Sequence, residues 1–184
     1  ALPLAGCVTT PAGFEPMALG FEAVPISIED AIRVPPGYTA TVLYRWGDAI
    51  GHSAGAPAFL PDARNSAADQ ALQAGMHHDG INFFALPIGS RSSERGLLVM
   101  NHEYTDDGLL HFDGFVNWSA EKVLKAQNAH GVSVIEVERQ DERWGVVRPW
   151  QWARRITART PIRISGPAAG SSALQTALDP SGRS

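Results

Sequence analysis

Two runs decide the fold: Gly80-Ile81-Asn82-Phe83-Phe84-Ala85-Leu86 and Gly96-Leu97-Leu98-Val99-Met100-Asn101-His102-Glu103-Tyr104. Both are short, mostly apolar and opened by glycine, the pattern of β-strands. Ser90 to Arg95 between them is a polar connection, so the two runs should form an antiparallel pair. Downstream, Val132-Ser133-Val134-Ile135-Glu136-Val137 alternates apolar and polar. Gln140-Asp141-Glu142-Arg143 turns that strand, and Trp144-Gly145-Val146-Val147-Arg148 returns. Ser119 is placed to cap a helix that runs to about His130, with Gly131 as its closing glycine. Upstream, Thr39 to Trp46 has the composition of a further strand, and Gly47 to Asp69 reads as a long irregular loop. The predicted class is all-β with a short inserted helix.

Four short strands in succession match one blade of a β-propeller, which takes roughly 40–50 residues. The segment 76–150 fits one blade, with the helix as an insertion. A closed propeller needs roughly four to eight blades, so this chain holds about one and a half. A β-sandwich is the competing architecture; it needs roughly seven strands, more than the patterns present.

The composition bounds the rest. The chain has 184 residues, of which 44% are hydrophobic and 18% charged. That suits one domain or two small ones, and it argues against disorder and coiled coil. Eighteen glycines and 13 prolines make a turn-rich chain, unlike a helical bundle. No apolar run approaches the ~18 residues of a membrane span. The net charge of −4 gives no basic field to attract nucleic acid. A single cysteine excludes an internal disulfide framework.

Residues 1–20 read as an export-signal remnant and leader, and 21–184 as the domain. Ala1-Leu2-Pro3-Leu4-Ala5-Gly6-Cys7 is small and apolar, and Leu4-Ala5-Gly6-Cys7 is similar to the lipobox of bacterial lipoproteins. The expected location is periplasmic or secreted, with Cys7 as the residue that lipidation would modify. Residues 8–37 are rich in proline and glycine and read as extended chain. The run from Ser165 to Ser172, followed by Asp179-Pro180-Ser181-Gly182, reads as a loop cut in mid-course.

Two polar clusters flank the deciding strands. Met76-His77-His78-Asp79-Gly80 precedes the first, and Asn101-His102-Glu103-Tyr104 ends the second. In an antiparallel pair both lie at one end of the sheet, which gathers His78, Asp79, His102 and Glu103. Carboxylates suit hard cations such as calcium, and imidazole with carboxylate suits iron or zinc. Successive strand residues face opposite sides, so His102 and Glu103 cannot serve one ion. Glu103 is favoured as the ligand, with His102 packing behind it. The bland alternative is a polar turn and a capped strand edge. His111 and Asp113 read as plain loop residues. Trp144, Trp150 and Trp152 read as core or blade-packing residues. Arg154, Arg155, Arg159 and Arg163 form a cationic run, either a solvated strand face or a phosphate contact.

The clusters Gly75 to Gly80 and Leu97 to Thr105, taken together, resemble the PhoX-type alkaline phosphatases. The likeness extends through Trp118 to Val123, Ala129 to Val134, Ala153 to Thr157 and Ile164 to Gly170, covering about residues 20–180. The resemblance implies a β-propeller, secreted, exported folded by the twin-arginine route, and monomeric at full length. It implies phosphomonoester hydrolysis at a di-iron centre joined to calcium ions. Family members are longer and carry cysteine and Glu-Glu-Asn runs that have no match here. The chain is therefore expected to be the N-terminal portion of such an enzyme and inactive alone. Onto this sequence the resemblance places Glu103 and, more weakly, Asp79 as metal ligands, with Asn101, His102 and His78 as supporting positions; the catalytic residues stay unassigned. The alternatives are a non-catalytic β-rich binding module of the cell envelope and a calcium-dependent propeller lactonase or esterase.

Overall fold

The computed structural model describes residues 19–51, 56–148 and 152–175. Cys7, Trp150 and the run 179–182 lie outside the described residues. The chain divides into two units at Val42/Leu43. Described residues of the first carry no regular helix or strand. Val24, Ile26, Ile28 and Ile32 there are exposed, and Phe21 packs edge-on against Tyr38.

The second unit holds the elements. A one-turn helix, α1 (Ala67–Gln70), opens with Ser66 accepting from the Asp69 amide, and Asp69 returns the bond to the Ser66 amide. The strands are β1 (His78–Ala85) and β2 (Arg95–His102). Two helices follow, α2 (Asp107–Leu110) and α3 (Ala120–Ala129). Then come β3 (Gly131–Gln140), β4 (Arg143–Val146) and β5 (Arg154–Ile156). The order is β1-β2-β3-β4, antiparallel throughout, as the strand patterns predict. β5 also pairs with β3, along Val132–Val134, while β4 pairs with Val137–Gln140. The strand neighbouring β3 is thus made of two pieces in line.

α3 forms where expected. Ser119 accepts from the Lys122 amide, and the helix ends at Ala129 with Gly131 at φ +116°. Three side chains of α3 tie down the segment around α1. Glu121 accepts from the Ala67 amide, Lys125 donates to Ala63 O, and Asn128 donates to Ala67 O.

The expected strand at Thr39–Trp46 does not form. Its aromatic residues face packing partners, but no described strand lies alongside to receive its backbone. Tyr44 joins the sheet's core cluster with Ile50, Ala74, Met100, Ile135, Val137 and Ala153. Trp46 packs on a smaller cluster of Met76, Leu110 and Ala129 beneath the helices. The composition that reads as strand is used for burial. The loop from Gly47 to Asp69 likewise contains the start of α1, and the excursion after Asp106 contains α2.

The core lies on one sheet face, set by Leu98, Met100, His102, Ser133, Ile135 and Val137 at alternate positions. Fully burying a side chain such as Ile135 contributes about 1.5–3 kcal/mol. Register slips once: Asp79 pairs with Asn101 and Asn82 with Val99, so Gly80 and Ile81 together oppose Met100. Gly80 has φ +48°, the left-handed glycine of a β-bulge. β1 is an edge strand, with Ile81, Phe83 and Phe84 substantially exposed. Trp144 is partly exposed and meets Phe83 edge-on at 5.9 Å, and Trp152 is exposed, so neither lies in the core among the described residues; the blade-packing part of the expectation is not tested by these contacts.

Gly131 supplies the first test. A Cβ at this position would lie 2.0 Å from Ile156 O. Gly131→Ala should destabilise the protein by roughly 2–4 kcal/mol through strain and displacement of β5. Urea unfolding monitored by tryptophan fluorescence checks this.

Candidate functional site

The bulge and the register sort the polar residues between the two sheet faces. His78 pairs with His102, and Asp79 with Asn101. The Glu103 amide donates to His77 O, which carries the ladder one rung further. Alternation then sets His78 and His102 toward the core, and Asp79, Asn101 and Glu103 toward the opposite face. Asp79 and Glu103 are exposed at the same end of the sheet. Asn101 is partly buried, and its Oδ1 has no hydrogen-bond partner among the described residues; it sits against Gly80, where a Cβ would come within 2.9 Å. His77, at φ +48°, stacks on Tyr104 with ring centroids 3.9 Å apart beside this cluster.

The histidines do a different job. His102 is 2% exposed, and its Nε2 lies 2.6 Å from Ser133 Oγ. Tyr44 donates to the same hydroxyl at 3.5 Å. His78 packs between Tyr44 and His102, at 5.4 and 4.8 Å, with Nε2 3.1 Å from Gly75 O. Burial, then the Arg155 guanidinium and then His78, push the His102 pKa down to about 3. His102 Nδ1 has no partner among the described residues, so an imidazolium there would bury an unsatisfied donor. Burial also lowers the pKa of His78 and raises that of Tyr44.

The cationic run is mostly not what its sequence suggests. Arg155 is neither a solvated face nor free for phosphate. Its guanidinium donates to the carbonyls of Gln73, Asn128, His130 and Ile156 at 2.7 to 2.9 Å. No described carboxylate pairs with it, and burial pushes its pKa down to about 10. Arg159 reaches Gln127 at 3.3 Å, and Arg154 lies over the Trp152 ring. His111 and Asp113 are also more than loop residues. His111 is buried 3.4 Å from Asp107, and Asp113 pairs with Lys122.

The structure thus places Asp79, Asn101 and Glu103 together at one end of the sheet and His102 in the core, where the sequence reading missed Tyr44, Ser133 and Arg155 as a buried polar cluster. Ser133 does stand out as the polar residue of an alternating strand on the core side; Arg155 carries no sequence signal that separates it from its neighbours. Among the described residues, no group of three or more His, Cys, Asp or Glu side chains is placed to hold a metal ion.

The fold and site define a mostly antiparallel β protein with a cluster of oxygen-bearing side chains at one end of its sheet. A family model described as alkaline phosphatase PhoX matches residues 19–184, and the chain belongs to that family. The structure of Pseudomonas fluorescens PhoX in complex with vanadate, a transition state analogue, superposes with a TM-score of 0.81 at 39% identity. The match covers 90% of this chain and 28% of that one. None of the curated proteins compared matches significantly. No helix among the described residues is long and apolar enough to cross a membrane.

The histidine pKa directions give a signed prediction. A histidine with a lowered folded pKa binds its proton more readily when unfolded. Its contribution is complete above the ordinary value near 6.5 and is lost as pH falls toward about 3 for His102. Unfolding free energy should therefore drop below pH 6.5, by up to about 1.4 kcal/mol per pH unit for each such group. Urea titrations at pH 7, 6 and 5 should show a shallower fall in His102→Gln.

Proposed function

We propose that this chain is part of a metal-dependent phosphomonoesterase, and that Asp79, Asn101 and Glu103 hold a calcium ion at its site. The supporting observation is the orphaned Asn101 Oδ1, set between two exposed carboxylate positions on one sheet face. An uncharged amide oxygen flanked by carboxylates is a donor set for a hard cation. Calcium takes about six to eight oxygens, so these three leave the shell open to water, substrate or further protein ligands. The described residues do not build an iron centre.

A calcium ion held there would offset charge on a phosphate ester. The chain's own contribution is positional. β2 and β1 fix Asn101 and Asp79 as cross-strand partners, and the buried His102–Ser133 pair behind them anchors the strand end. His77 and Tyr104 border the cluster as a stacked pair. Membership of the family, and likeness to a relative solved with a phosphate-transition-state mimic, support phosphate esters as the substrate class. The reading of the sheet as a blade, together with about half of another, in a propeller belongs to the same proposal. So does export, with the lipobox-like run before Cys7 as its support, and a monomeric full-length enzyme.

Calcium titration tests the site in this chain. Glu103→Gln and Asn101→Ala should each weaken calcium binding at least tenfold by calorimetry while leaving the far-ultraviolet dichroism unchanged. Equal affinity in both variants overturns the assignment. On ligand count, the 184 residues alone should show no enzyme-like turnover of p-nitrophenyl phosphate with calcium and iron supplied. Turnover would mean that the chain carries a complete site.

A further inference from the structure

A second cationic feature lies away from the Asp79–Glu103 cluster, in a cavity of about 450 Å³ between the α1 segment, the α2 loop and α3. Its ionisable lining is Arg64, Lys122, Lys125, His111, Asp113 and Glu121, and Phe112 forms an apolar wall. Most of these charges are already matched. Lys122 pairs with Asp113 and donates to the carbonyls of Gly114 and Val116, which uses all three of its donors. Glu121 accepts from the Ala67 amide. His111 lies against Asp107.

Lys125 is the exception. It is 4% exposed, donates once, to Ala63 O at 2.7 Å, and has no carboxylate within ion-pair distance among the described residues. An ammonium has three donors, so two remain for whatever fills the cavity. Burial lowers its pKa, while Glu121, Asp69 and Asp62 act from beyond contact to raise it. A buried, unpaired cation is costly, and the cost falls when an anion pairs with it. At the exposed rim, the Arg64 guanidinium lies 4.3 Å over the Phe112 ring and 3.3 Å from Asp62. A planar fork at the rim and a point charge at the base are complementary to a phosphate group.

We propose that this cavity is an anion site for a phosphate group, held by Lys125 with Arg64 at the mouth, separate from the calcium cluster and independent of it. The volume admits either free phosphate or the phosphate of a small ester whose organic part lies along Phe112.

Calorimetric titration of the protein with inorganic phosphate, and separately with glycerol 2-phosphate, at constant ionic strength and without calcium, tests this. Binding should weaken at least tenfold in Lys125→Met and measurably in Arg64→Ala, and should be unchanged in Glu103→Gln. Tighter binding of the free ion assigns the site to phosphate itself, and tighter binding of the ester assigns it to an organic phosphate; both support the proposal. Absence of binding to either probe overturns it, as does equal affinity in Lys125→Met. Lys125→Met keeps the side-chain length but gives up the bond to Ala63 O; if its unfolding midpoint falls, loss of binding in Arg64→Ala at the exposed rim decides, and unchanged affinity there overturns the proposal. Loss of phosphate binding in Glu103→Gln would place the anion at the calcium cluster and overturn the separate site.

Discussion

Among the described residues, no side chain donates to more backbone carbonyls than the guanidinium of Arg155. Five carbonyls from four parts of the chain converge on it: the segment before β1, the end of α3, the start of β3, and β5 itself. Each is an acceptor that would otherwise be hidden from water, and a buried acceptor left unpaired costs about 1–3 kcal/mol. Burial keeps the nearby His102 neutral, and the same cation adds to that effect. A neutral His102 can share Ser133 Oγ with Tyr44, and that shared hydroxyl joins β2, β3 and the loop before α1. The position of the strand end that carries Asn101 and Glu103 therefore rests on a cation that touches neither. Lysine, a point charge with three donors, has no means of serving five carbonyls arranged around a plane.

What the sequence shows of the fold is what periodicity can encode. β1 through β4 and the capped helix were legible because alternation, turn residues and Ser119 all act locally. The missing strand at Thr39–Trp46 has strand composition but no partner, and partnering is a tertiary fact. β5 was legible only as a charged strand face within the cationic run, because three residues give no periodicity to fix its bounds or its partner. In the site, Glu103 and Asn101 were visible through their cluster and the resemblance it carries. The opposite facing of His78 and Asp79 follows from β-sheet alternation once β1 is known to begin at His78. Arg155 and Lys125 were illegible for one reason: in a sequence, a lysine or arginine looks the same whether it meets water, carbonyl oxygens or nothing.

The two buried cations reflect different physical solutions. Arg155 is desolvated but surrounded by fixed dipoles, so its charge is compensated without a carboxylate. Lys125 has one such dipole and an open volume beside it. The first arrangement is a structural clamp. The second leaves interaction energy unspent, which is the condition under which a ligand gains affinity.

The glycine bulge in β1 acts on the sheet as a phase shifter. Five positions separate His78 from Phe83, an odd number, yet both face the core side, because Gly80 and Ile81 share one partner. The polar end and the apolar body of this strand therefore follow two different frames. Removing one of the two residues at the bulge would restore plain two-residue alternation and leave His78 and Phe83 on the core side and Asp79 opposite Asn101, whereas a residue lost from the regular ladder beyond Asn82 would move the apolar body of the strand to the other face. The constraint on length thus falls on the regular ladder either side of Gly80 and Ile81, while the bulge itself is the place in β1 where a residue can be lost with both faces kept.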